Sequence, residues 1–170
     1  MGKGDLMADT FFAGSILSWL VSLITTNLKM SLSLKTIQAG TLGQYPEDAL
    51  ETDCPALLIW YNGSPTFDAN TNNANLMQHY DFRITYIRQF SEDEELGTNI
   101  ISETKKIVEL INANALMPEY IERLRMATPL TINSIDNNPE TNGSMIFWAF
   151  NKRLIIATID CRVGMYTSKS

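Results

Sequence analysis

The chain has one histidine, two cysteines and little clustered positive charge, and each shortage removes a class of function. His79 has no acid or nucleophile at a recognised motif spacing, so a structural role is expected for it. Cys54 and Cys161 lack CxxC spacing and companion histidines, which argues against a zinc site or a redox motif. Two buried, reduced thiols are expected, because a disulfide would need neighbouring strands and an oxidising compartment. GxSxG, Walker and GxGxxG patterns are absent. With a net charge of -6 and adjacent basic pairs only at Lys105–Lys106 and Lys152–Arg153, the chain lacks the basic footprint that phosphate binding requires. The acidic run Glu92–Glu95 has no histidine or Asp-x-Asp pattern beside it, and adjacent acids on a helix point in different directions. No catalytic residue, metal or cofactor is expected, although an enzyme can assemble a site from residues distant in sequence.

Long hydrophobic runs are also missing. Phe11–Ile24 is the most apolar segment, and it falls short of the roughly 20 residues that span a bilayer. A signal peptide is disfavoured by Asp5 and Asp9 before it, by Ser15, Ser18 and Ser22 within it, and by the lack of a small-x-small cleavage site after it. An amphipathic helix from Phe11 to Leu28, capped by Asp9 or Thr10, is expected instead. Phe12, Ile16, Trp19, Leu20 and Leu23 recur at helical spacing, and Leu17, Val21, Ile24 and Leu28 widen the stripe. So wide a stripe implies burial on two sides, by the sheet and by a neighbouring subunit.

What the chain does have is alternation. CPALLIWYNG from Cys54 reads as a strand with a proline at its mouth, where the missing N–H is tolerated. HYDFRITYIRQF from His79 places Tyr80, Phe82, Ile84 and Tyr86 on one face and Asp81, Arg83 and Thr85 on the other. Between them, the Asn-rich segment Gly63–Asn75 reads as a long hairpin loop with an exposed tip, in which Phe67 is the main apolar anchor. Upstream, LSLKTIQAG from Leu32 offers a short strand inside a connector.

A second helix is signalled by the Ser91–Glu94 capping box and by an acidic first turn. Leu96, Ile100, Thr104, Ile107, Val108 and Ile111 mark its apolar face, and Pro118 breaks it before a short helical piece from Glu119. The C-terminal third returns to strand with LTINSID from Leu130, then a turn-rich NNPETNG, then MIFWAF. MIFWAF continues past Asn151 and Lys152 into RLIIATIDCRV, as one long bulged strand or as two strands joined by a tight turn; the bulged strand is favoured. Ile155, Ala157, Ile159 and Cys161 share one face of it, and Thr158, Asp160 and Arg162 the other. Aromatic residues Trp60, Tyr61, Tyr80, Tyr86, Phe147 and Trp148 sit at strand positions, which favours core packing over base stacking.

The expected fold is α+β: a mostly antiparallel β-sheet of about four strands packed by an N-terminal helix and a central helix. With 170 residues and 45% hydrophobic content, one domain over residues 1–170 is expected, with flexible tails at 1–8 and 166–170.

The order of DCPALLIWYNG, a long loop, HYDFRITYIRQF, the acidic-capped SEDEELGTNIISETKKIVELI and RLIIATIDCRV, behind an N-terminal helix, resembles tail-terminator and tail-completion proteins of tailed bacteriophages. The likeness covers roughly Tyr45 to Met165 and is one of element order. It implies a non-enzymatic subunit of a hexameric ring at the head-proximal end of the tail, with the tail tube protein and the head connector as partners. It further implies a virion location, no membrane, and DNA passing through the ring without specific binding. On this reading the subunit or partner contacts fall at Phe12, Trp19, Leu23, Phe67, Asn70, Asn73 and Asn75. A head-closure or baseplate subunit, and a small cytosolic ligand-binding domain or enzyme, are the alternatives.

Overall fold

The alternating runs HYDFRITYIRQF and RLIIATIDCRV fall in two long strands that pair with each other over Asn75–Gln89 and Leu154–Ser168. In the computed structural model the described residues are 3–41, 54–67, 75–89, 98–117, 128–137, 146–149 and 152–168. They form helix α1 (Lys3–Leu28), strands β1 (Thr36–Thr41), β2 (Ala56–Tyr61), β3 (Thr66–Phe67) and β4 (Asn75–Gln89), helix α2 (Thr98–Ala113), and strands β5 (Thr131–Asp136), β6 (Ile146–Ala149) and β7 (Lys152–Ser168). Among these residues the sheet runs β1-β2-β4-β7-β5, with β3 on β4 and β6 on β7. Only β1 and β2 run parallel; every other pair is antiparallel.

The α+β class is as expected, and the finer expectations change. The sheet is mixed and has seven strands among the described residues, because segments read as connectors also pair. β1 is the short strand that LSLKTIQAG offered inside the connector. Thr66 and Phe67, expected in the hairpin loop, pair with His79 and Gln78, while Asn75 already belongs to β4. The C-terminal third is a hairpin and not one bulged strand: Ala149 pairs with Lys152 and Ile146 with Ile155, so the chain reverses between them. Regular structure also reaches into both expected tails. Leu6, Met7 and Ala8 are good helix formers and Asp5 suits the N-terminal end of the dipole, so the helix begins before Phe11. At the other end, β7 continues to Ser168 because Asn75 and Leu76 of β4 lie opposite Ser168 and Thr167.

Both helices contribute to one core and α1 touches α2, so they share one face of the sheet. That face carries Leu57, Ile59 and Tyr61 of β2, Tyr80, Phe82, Ile84 and Tyr86 of β4, and Ile155, Ala157, Ile159, Cys161 and Val163 of β7. Phe12 of α1 meets Tyr80 edge-on, with centroids 4.8 Å apart. On α2, Ile100, Thr104, Ile107 and Ile111 are buried as the spacing predicts, and Thr104 hides its hydroxyl on the Ile100 carbonyl. The helix ends at Ala113, before Pro118, and the amide Nδ2 of the next residue, Asn114, donates to the Leu110 carbonyl at 2.9 Å. The capping box, Pro118 and the helical piece from Glu119 lie outside the described residues.

Candidate functional site

On the face away from the helices, β4 and β7 carry the same short pattern, Asp-x-Arg, at Asp81–Arg83 and Asp160–Arg162. Antiparallel pairing sets Asp81 opposite Arg162 and Arg83 opposite Asp160. Both pairs are two-pronged. Arg162 Nε and Nη2 donate to the Asp81 oxygens at 2.7 and 3.3 Å, and Arg83 Nε and Nη2 donate to the Asp160 oxygens at 2.8 and 3.2 Å. The Ser134 hydroxyl, brought in by the irregularity of β5 between Ile132 and Ser134, adds a bond to Asp160 at 3.1 Å. An open cleft of about 350 Å³ lies here, lined by Asn62, Asp81, Arg83, Asn133, Ser134 and Asp160. Every carboxylate oxygen of the quartet accepts from a guanidinium, so the cleft is electrostatically neutral.

Towards β2 this face is mostly apolar. Ala56, Leu58, Trp60, Ile87, Leu154 and Ile156 form a second buried cluster, with Cys54 packed against it. The thiols therefore belong to opposite faces, and neither is in a disulfide. Cys54 is half-buried, where burial was expected. Burial, followed by the negative charges of Asp160 and Asp81, pushes the Cys161 thiol up to about 12, so it stays protonated at neutral pH and is a poor nucleophile.

On the helix side, the Tyr86 hydroxyl donates to Glu103 Oε2 at 2.7 Å, and Arg88 Nε lies 3.3 Å from the same oxygen. Burial first, then Glu103, raises the Tyr86 phenol well above its ordinary value. This cluster ties α2 to β4. Among the described residues no group of three His, Cys, Asp or Glu side chains could hold a metal ion. No helix among them is long and apolar enough to cross a membrane. His79 is half-buried within β4, its Cα opposite Gly164 and Thr66.

The expected contact residues do not converge on one surface. Phe12 is 1% exposed and Trp19 7%, both buried in the chain's own core, so no second chain is needed to cover them. β1, β2 and α2 all touch α1 and cover much of the stripe, while Leu17 and Val21 stay part-buried. Leu23 is partly buried against the same core. Phe67 is 47% exposed on β3. Asn70 and Asn73 lie outside the described residues, and Asn75 opens β4.

Sequence reasoning missed the charge quartet, though the repeated Asp-x-Arg on two predicted strands was a usable signal. It also missed the two sheet edges. Among the described residues β1 pairs only with β2, and β5 and β6 pair only with β7. Beside β1 an open groove of about 540 Å³ runs between strand and helix, lined by Gly14, Leu17, Ser18, Val21, Ala39 and Gly40 among others. No protein-family description and no curated protein matches the chain.

Proposed function

We propose that this chain is a structural subunit of a phage tail, acting by geometry as a ring that ends the tail tube and joins it to the head connector. The observation that carries the reading is the pair of non-equivalent sheet edges, β1 on one side and β5 with β6 on the other. A closed ring needs a heterologous contact, in which one surface of a subunit meets a different surface of the next. A sheet with two unlike edges offers that contact without any added element. The element order shared with tail terminators supports the same reading. So does the cleft, whose acids and bases are already spent on each other and leave no group evidently poised for proton transfer.

The net charge of -6 suits a ring whose lumen passes DNA without holding it, since like charges oppose tight phosphate contact. The partners on this reading are further copies of the chain, the tail tube protein and the head connector, and the location is the virion. A head-closure or baseplate subunit rests on the same physics.

The test is the mass of the full-length protein in solution and with tail tubes, followed by imaging of particles made without it. Six-fold rings, together with unjoined heads or overlong tubes in its absence, are the expected result. Particles that assemble and join normally without the protein refute the reading.

A further inference from the structure

We draw no further inference here: the strongest candidate, the open groove between β1 and the small residues Gly14, Ser18 and Ser22 of α1, carries nothing, because nothing in the structure shows what covers it.

Discussion

Asp81 and Arg162 stand directly opposite each other across the β4–β7 ladder, joined by hydrogen bonds of 2.7 and 3.3 Å. Two residues along, the order reverses, with Arg83 facing Asp160. A slip of two residues keeps every side chain on its own face, so the apolar pattern alone cannot forbid it. It would set Asp81 against Asp160 in one direction, or Arg83 against Arg162 in the other. The repeated Asp-x-Arg thus fixes the register of the two longest strands.

The first prediction follows from that pair. Asp81→Arg should cost roughly 1–2 kcal/mol in urea unfolding, because like charges then face each other. Adding Arg162→Asp should return most of it. Both side chains are partly exposed, so the coupling in a double-mutant cycle should be about 1 kcal/mol and should shrink as salt rises. A coupling of zero at low salt would show that the pair does not hold the register.

Tyr86 predicts a dependence on alkaline pH. Its folded-state pKa lies above the ordinary 10.0, so the folded chain keeps a proton that the unfolded chain releases. Its contribution is fully present below pH 10 and is lost as pH rises above it. Tyr86→Phe should cost about 1–2 kcal/mol at neutral pH, since it strips a partner from Glu103, and should flatten the fall in stability above pH 10. Cys161 acts in the same direction above 9.0, so the Tyr86→Phe profile should keep a smaller alkaline decline. Identical alkaline slopes in the two proteins would rule out the Tyr86 contribution.

The parts of the fold that were legible are those where alternation had a buried face to report. Tyr80, Phe82, Ile84 and Tyr86 fall on the helix side as the spacing requires, and so do Ile155, Ala157, Ile159 and Cys161. The first helix was legible as an element, and Phe12, Ile16, Trp19 and Leu20 of its stripe are buried by the chain itself. A sequence does not show that β1, β2 and the second helix all touch the first. β1 was legible only as the short strand offered by LSLKTIQAG, since an edge strand of this length is held by backbone pairing to β2, with Ile37 its one residue packed on the core. The reversal near Asn151 was readable as a turn or a bulge, and the pairing of Ala149 with Lys152 decides it. No surface made by strands far apart in sequence, the two edges included, leaves a local signature.

Thr85 predicts a gain. It lies on the outer face opposite Leu58 and Thr158, is fully buried, and its hydroxyl has no hydrogen-bond partner among the described residues. An unpaired buried hydroxyl carries a desolvation cost with nothing to offset it. Thr85→Val removes the hydroxyl while keeping the branched shape, and should raise unfolding stability by about 1 kcal/mol. A loss of similar size would show that the hydroxyl is satisfied in solution, as by a buried water.

Trp19 and Phe67 together separate folding from assembly. Trp19 is buried between α1 and the rest of its own core, so Trp19→Asp places a charge where nothing pairs with it. The cost should exceed about 3 kcal/mol, enough to lower the melting temperature of the isolated subunit by roughly 10 °C. Any loss of assembly in that variant then follows from loss of fold. Phe67 is the opposite case: it is half exposed on the short strand β3, and Phe67→Ser should change unfolding stability by no more than about 0.5 kcal/mol. If β3 meets a partner, Phe67→Ser should lower head-to-tail joining while the melting curve stays in place. Normal joining by Phe67→Ser would remove β3 from the contact surface, and an unchanged melting temperature in Trp19→Asp would contradict the packing of α1 described above.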